Sequence, residues 1–212
     1  MKPYYEKNYW DSLFSWKELE YLINIRPLMS ASRVNILGDE PGLKWQNSEW
    51  TKDYSCLPPS LLREVLDNYI VFISDMSRST KNINDFAKML EKEYGFQADA
   101  HIYICMNTSI KHHFGTHFDY NDNVIVQCEG ETNWKVWDEV TDTRQQRYLM
   151  DIKDDPIIDV NMKPGDTIWI PKNYPHRATS NTVRLSVSFP LAHHRTYSYE
   201  DYFEDRNWVN LY

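Results

Sequence analysis

The segment from 112 to 123, HHFGTHFDYNDN, places histidines and carboxylates around a single Gly-Thr step. His117 and Asp119 are two residues apart, and side chains with this spacing project from the same face of an extended segment. An imidazole nitrogen and a carboxylate oxygen can therefore converge on one metal ion. A polar surface loop is the alternative interpretation of these residues.

A third ligand follows in KPGDTIWIPKNYPHRA (163–178), where an apolar strand and a proline-bounded loop lead to His176. Two histidines and one carboxylate form the facial triad of non-haem Fe(II) oxygenases, which leaves coordination positions open. Each histidine alone is more simply a polar residue at a strand end. Together, and in this order, His117, Asp119 and His176 predict a metal site.

Helical signals are concentrated in the first half of the chain. Ser15 followed by Glu18 is typical of a capping box before WKELEYLINI. PPSLLREVLDNY begins with prolines and continues with helical apolar spacing, and NDFAKMLEKEYG has one apolar face and a stop at Gly95. These segments predict an N-terminal helical layer.

Short runs rich in β-branched and aromatic residues, bounded by turn residues, predict strands in the rest of the chain. Closely spaced short strands are typical of a sandwich, barrel or jelly roll. The charged segment from Asp138 to Asp155 predicts a long surface excursion between two of them. The runs are YIVFIS (69–74), AHIYICMN (100–107), NVIVQCEG (123–130), TNWKVWDE (132–139), PIIDVNM (156–162), DTIWIP (166–171) and TVRLSVSFP (182–190).

The run TVRLSVSF has two distinct faces. Its apolar residues at 183, 185, 187 and 189 point one way, and Arg184, Ser186 and Ser188 point the other. One interpretation is an edge strand whose polar face meets water. The other is a barrel strand whose polar face surrounds a charged ligand, because burying a guanidinium without a partner is very costly.

Composition narrows the classes of function. A net charge of -8 argues against a general binder of nucleic-acid phosphates. No apolar run approaches the roughly 20 residues of a membrane span, and MKPYYEKNYWD lacks the apolar core of a signal peptide. Cys56, Cys105 and Cys128 show no CxxC spacing and are interpreted as reduced thiols. We therefore expect a cytoplasmic protein without nucleic-acid or membrane partners.

Two stretches, THFDYNDNVIVQCEGETNWKVW and PGDTIWIPKNYPH, resemble the Fe(II)/2-oxoglutarate-dependent oxygenases, and within them the JmjC or cupin-like hydroxylases. The resemblance covers roughly residues 68–190. It implies a mostly β fold with helices, a double-stranded β-helix (jelly roll or cupin), in a single domain. Residues 1–67 would form the N-terminal helical layer, 68–190 the jelly-roll core and 191–212 a C-terminal extension.

The resemblance also implies roles for individual residues. His117, Asp119 and His176 would hold Fe(II), with 2-oxoglutarate as cosubstrate and O2 as oxidant. The amide of Asn123 falls near the position of the cosubstrate. Tyr103 could add a hydroxyl from a neighbouring strand, and a plain core aromatic is the alternative for this residue.

One position departs from the pattern of the JmjC-type hydroxylases. They usually carry Lys or Arg thirteen residues after the Asp, where this chain has Thr132, and Lys135 falls on the opposite strand face. Arg184 and Ser186 follow His176 with a spacing that resembles the Arg-x-Ser of the plant- and penicillin-synthase-like oxygenases. We expect Arg184 and Ser186 to bind the far carboxylate of 2-oxoglutarate, since a guanidinium can pair a carboxylate bidentately.

The resemblance implies a dioxygenase that hydroxylates a protein or peptide side chain, or an amino-acid-like small molecule. A metal-binding cupin without oxygenation, such as an isomerase, is a second class, and it would not require Arg184 to face the metal. An inactive jelly-roll interaction module is a third, which Thr132 favours and the intact triad disfavours. The remaining histidines are interpreted as surface or plain strand residues: His101, His112, His113, His193 and His194.

Overall fold

The structure is a computed structural model that describes residues 1–24, 34–37, 63, 66–67, 69–108, 115–142, 150–180 and 182–192. Helix α1 (Trp16–Asn24) begins at the predicted capping box, where the Ser15 hydroxyl accepts from the Glu18 N–H and donates to the Glu18 carboxylate. Helix α2 (Lys81–Tyr94) ends at Gly95, whose φ of 72° is left-handed. Two of the three predicted helical segments are thereby confirmed, and the third, PPSLLREVLDNY, lies mostly outside the described residues.

The described residues also form strands that are short and mostly buried on one or both faces. Each of the seven predicted runs overlaps one of them. The strands are β1 (Tyr4–Glu6), β2 (Val34–Leu37), β3 (Ile70–Ile73), β4 (Gln97–Ala98), β5 (His101–Cys105), β6 (Asp122–Glu129), β7 (Thr132–Val136), β8 (Ile158–Met162), β9 (Thr167–Ile170), β10 (His176–Ser180) and β11 (Arg184–Ala192).

The strands build two antiparallel sheets that face each other as a jelly roll. The large sheet has the order β1-β9-β6-β11-β5-β3-β2, with β4 pairing the end of β11, and the small sheet has the order β10-β7-β8. Strand β11 lies between β6 and β5 and pairs with both. The interpretation of TVRLSVSF as an edge strand is therefore wrong, because this strand is central in the sheet.

The large sheet is buried on both faces. Its outer face packs on α1 and α2 in a core that includes Leu185, Val187 and Phe189. Its inner face meets the small sheet in a second core around Ile125, Ile168 and Trp134. The predicted alternation in β11 is confirmed, and the polar side chains of this strand lie buried between the two sheets.

Four strands were not predicted: β1, β2, β4 and β10. The region predicted as a helical layer thus also contributes β1, which pairs with β9, and β2, which pairs with β3. Residues 138–142 and 150–155 form no helix or strand and are mostly exposed, as expected for a surface excursion, and 143–149 lie outside the described residues. Neither described helix has the length and apolar character to cross a membrane.

Candidate metal centre

The two histidines of the predicted triad are joined through their backbones. The His117 N–H donates to the His176 carbonyl at 3.0 Å, and the His176 N–H donates to the His117 carbonyl at 2.7 Å. They form an isolated antiparallel bridge at the start of β10. The Asn173 N–H also donates to the Asp119 carbonyl at 2.8 Å. Peptide groups of the protein itself therefore hold the two ligand segments side by side.

The three side chains converge on one point. One donor atom from each of His117, Asp119 and His176 lies within 4.8 Å of the others. The His176 Nε2 is 3.7 Å from the Asp119 Oδ2, and the two imidazole rings are 4.3 Å apart at an angle of 58°. His176 is buried and the other two side chains are half-buried. This arrangement brings two nitrogen donors and one carboxylate oxygen to a shared space.

Backbone carbonyls orient both imidazole rings. The Nδ1 of His117 lies 3.2 Å from the Gly115 carbonyl, and the Nδ1 of His176 lies 2.9 Å from the Tyr174 carbonyl. A carbonyl oxygen only accepts, so these contacts assign the proton of each neutral ring to Nδ1. Each Nε2 then keeps its lone pair for an ion, which is the arrangement found around metal-bound histidines.

The carboxylate of Asp119 has a neighbour that the sequence did not reveal. The Asn123 Nδ2 donates to the Asp119 Oδ2 at 2.8 Å, and the Ser188 hydroxyl donates to the Asn123 Oδ1 at 3.4 Å. The spacing of four residues between Asp119 and Asn123 was a visible signal. The resemblance instead implied a place for Asn123 near the cosubstrate, because the spacing alone does not show how the chain turns into β6 and brings these two side chains into contact.

The triad lines a cavity of about 570 Å³, including its open mouth. Ile125, Trp134 and Ala178 give it apolar walls. Tyr103 belongs to the cavity lining and also stacks on Phe72, with ring centroids 5.2 Å apart. The full lining is Tyr103, Gly115, His117, Asp119, Asn123, Ile125, Trp134, His176, Ala178, Arg184, Ser186 and Ser188.

Arg184 and Thr132 meet at the same point of the barrel. The side chain of Arg184 is 2% exposed, and its Nη1 donates to the Thr132 hydroxyl at 3.4 Å. Burial lowers the pKa of Arg184, against the opposing influence of Cys105 and Tyr103, and a guanidinium in a protein remains charged nonetheless. Arg184 thus brings a positive charge beside the residue that replaces the expected cation.

Lys135 lies on the other side of the small sheet, as predicted. Its Nζ is 3.0 Å from the Asp159 carboxylate, on the face that points away from the cavity.

His101 is a strand residue of β5, also as predicted, and its Nε2 is 3.0 Å from the Asp99 carboxylate. Burial alone would raise the pKa of Asp99, but the hydrogen bond and charge of His101 help to hold it below its usual value. The other histidines, at 112, 113, 193 and 194, lie outside the described residues.

A family model described as a JmjC domain matches residues 75–199, which is more than half of the chain. The chain belongs to the JmjC domain family. The expectation drawn from the two sequence stretches is confirmed for the family. A ribosomal oxygenase of Escherichia coli, YcfD, in complex with cobalt and 2-oxoglutarate, superimposes with a TM-score of 0.61 at 18% identity and covers 100% of this chain. The predicted jelly-roll fold is confirmed by this likeness and by the two facing sheets.

Curated relatives of the chain are similarly distant in sequence, and they are much longer. The bifunctional lysine-specific demethylase and histidyl-hydroxylase NO66 of Drosophila persimilis is 20% identical over 91% of this chain, which corresponds to 28% of the relative. Human ribosomal oxygenase 1 is 22% identical over 56% of this chain and 19% of its own length. The chain thus spans less than a third of these relatives, and 55% of the E. coli structure.

Proposed function

We propose that this JmjC chain is an Fe(II)- and 2-oxoglutarate-dependent dioxygenase that hydroxylates a protein side chain. The observation that carries the proposal is that His117, Asp119 and His176 line the same cavity as the buried guanidinium of Arg184. A metal triad and a cation for a carboxylate are the two features that such a reaction requires.

The donor set fits Fe(II). Two neutral imidazoles and one carboxylate on one side of an ion leave positions for a bidentate keto acid and for oxygen. A bound Fe(II) ion supplies, together with 2-oxoglutarate and O2, the oxidising chemistry that hydroxylates a C–H bond. His117 and His176 present Nε2 because backbone carbonyls hold their Nδ1 protons. Asp119 would contribute the negative charge that partly neutralises a bound ion.

The polar residues that β11 adds to the cavity lining suit the far carboxylate of 2-oxoglutarate. Arg184 and Ser186 lie on the same face of β11 and both line the cavity. A planar guanidinium donates two parallel hydrogen bonds to a carboxylate, and the Ser186 hydroxyl can donate a third from the same face. Tyr103 lines the same cavity from β5, which supports a role for its hydroxyl as a further donor to the cosubstrate.

A protein substrate is supported by the names of the relatives, which describe a histidyl-hydroxylase and ribosomal oxygenases. Residues 1–212 would then act as a single JmjC domain. The free thiols of Cys105 and Cys128 fit the reducing cytoplasm. A small amino-acid-like substrate is the alternative, and succinate formation without an oxidised ribosomal protein would favour it.

The test combines metal binding with turnover. The parent protein, supplied with Fe(II), O2 and 2-oxoglutarate, should form succinate, and incubation with ribosomal proteins should yield products heavier by one oxygen atom. His117→Ala and His176→Ala should each lose most Fe(II) affinity and all turnover, because each removes one of three ligands. His101→Ala is the matched control, since His101 bonds to Asp99 and does not line the cavity.

Different results would point to the other classes of function. Iron binding as tight in both histidine variants as in the parent would show that the triad is assigned wrongly. Full hydroxylation by Asp119→Ala would point to a different carboxylate ligand. Metal binding without succinate would indicate a cupin that does not oxygenate, and a protein that binds no metal would be an interaction module.

A further inference from the structure

We propose that Asn123 is a positioning residue that fixes the carboxylate of Asp119, and that Ser188 in turn fixes the amide of Asn123. The proposal rests on the proposed function, because it concerns the same metal site. In this proposal the Asn123 side chain acts on the metal ligand Asp119. The family resemblance instead implied that it lies near the cosubstrate. The contacts Ser188–Asn123–Asp119 form a relay of hydrogen bonds.

The relay consists of two hydrogen bonds in a buried setting. The bond from the Asn123 Nδ2 to the Asp119 Oδ2 is 2.8 Å long, which is short for an amide donor and typical of a charged acceptor. Asn123 and Ser188 are each only 7% exposed. Water competes poorly for groups at this depth, so hydrogen bonds there restrain geometry more strongly than surface ones.

Ser188 reinforces the orientation of the amide that Asp119 requires, because an ionised carboxylate only accepts and therefore takes the NH2 end. An Asn side chain can turn by half a rotation and exchange its oxygen and its NH2 group. The Ser188 hydroxyl, 3.4 Å from the Asn123 Oδ1, donates to that oxygen and so favours the rotamer in which Nδ2 faces the carboxylate. Both residues sit on paired strands, Asn123 on β6 and Ser188 on β11, so the contact is part of the rigid sheet.

A fixed carboxylate matters to an ion that must keep positions open. A carboxylate free to rotate can offer both oxygens to a cation, which fills a position that the keto acid or oxygen requires. The Asn123 amide engages Oδ2, and the Asp119 carboxylate is thereby restrained to one orientation. Partners that orient metal ligands in this way commonly contribute 10- to 100-fold to metal affinity.

The relay is tested with Co(II) alone as the probe, in the full chain and without turnover. Asn123→Leu keeps the volume and removes the donor, and it should raise the Co(II) dissociation constant about tenfold or more. The visible spectrum of bound Co(II) should change as well, because its d–d bands report coordination number. Asn133→Leu is the matched control, since Asn133 makes the same kind of contact with Asp159 at 2.9 Å away from the cavity.

Ser188 supplies a second test that does not depend on the folding of Asn123→Leu. Ser188→Ala should weaken Co(II) binding about threefold, and Ser188→Thr should restore it because the hydroxyl returns. The proposal is overturned if Co(II) affinity and spectrum are unchanged in Asn123→Leu and Ser188→Ala. It is also overturned if only the KM for 2-oxoglutarate rises, because the amide would then contact the cosubstrate directly. Absence of succinate formation by the parent would count against the proposed function alone, since the Co(II) measurements need no turnover.

Discussion

Replacing Arg184 should weaken 2-oxoglutarate binding while leaving metal binding intact. The guanidinium of Arg184 is buried in the cavity wall and donates to Thr132. The metal ligands His117, Asp119 and His176 are separate residues of the same lining, and the substitution leaves them unchanged. Arg184→Ala removes the charge and both arms of the fork. Arg184→Lys keeps the charge but offers a single point of attraction instead of a planar pair of donors.

The magnitude follows from the hydrogen bonds that are lost. A hydrogen bond to a charged group contributes about 1.5–3 kcal/mol, and a bidentate pair in a partly dry cavity should contribute about 2–4 kcal/mol in total. The dissociation constant for 2-oxoglutarate should therefore rise ~30- to ~1000-fold in Arg184→Ala. The dissociation constant of Arg184→Lys should lie between those of the parent and Arg184→Ala.

The contact between Arg184 and Thr132 makes a rescue experiment specific. Thr132→Lys alone would place a second cation next to the guanidinium, where repulsion at 4 Å is about 4 kcal/mol for an effective dielectric constant of 20. This variant should lose thermal stability. Thr132→Lys combined with Arg184→Ala removes the repulsion, restores a cation at the position usual in the family, and should recover part of the cosubstrate affinity.

The assay is calorimetric titration of 2-oxoglutarate into anaerobic, Mn(II)-loaded protein, with thermal melting as the check on folding. A rise of less than threefold for folded Arg184→Ala would refute the assignment of the far carboxylate to this residue. So would a bound structure in which that carboxylate lies beyond hydrogen-bond reach of Arg184.

Two further predictions concern stability. The Tyr5 hydroxyl donates to the Asp166 carboxylate at 2.6 Å, and burial together with this bond raises the pKa of Tyr5 to about 12, so the neutral form is favoured in the folded state. Tyr5→Phe should lower the free energy of unfolding by about 1–3 kcal/mol at pH 7. In the parent this contribution is lost as the pH rises from 10 to 12, and the variant should lack that loss when both are measured by urea unfolding. Equal pH dependence of the two proteins would contradict this. Gly130→Ala should cost at least about 2 kcal/mol, because its φ is 70° and a Cβ would lie 1.9 Å from the Val183 carbonyl. Gly95→Ala shares the left-handed φ of 72° but meets nothing within 4 Å, so it should cost only about 1 kcal/mol, and equal melting temperatures for the two variants would be inconsistent with the clash.

The sequence predicted those features that depend on local pattern. The alternation in TVRLSVSF is a property of neighbouring residues, so the buried polar face of β11 was predictable before its partners were known. The helix stop at Gly95 and the capping box at Ser15 are equally local signals. The convergence of His117, Asp119 and His176 was predictable because a recurrent order of ligands fixes which strands must meet.

Features that depend on distant pairing escaped prediction. Strand β1 contains only three residues, and its pairing with β9 arises because β9 offers an open edge. Strand β10, HRATS, lacks a run of β-branched or aromatic residues and is extended because it pairs with β7. The contact between Arg184 and Thr132 depends on how two different sheets face each other, which no spacing along the chain encodes.

Because a peptide bridge joins His117 and His176, we expect the chain to fold before it binds a metal ion. The pairing of strands in the jelly roll offsets the entropic cost of closing the long loop between these residues. The ligands are therefore brought together by the fold and do not need an ion for this. Small zinc-dependent domains behave differently and are unfolded without their metal. Here we expect a bound metal ion to exchange with solution while the protein stays folded. Its removal by a chelator would lower the free energy of unfolding only by mass action, by about 2.7 kcal/mol for a free metal concentration of 100 times Kd. The folded chain could then be emptied and reloaded with another divalent ion without passing through the unfolded state.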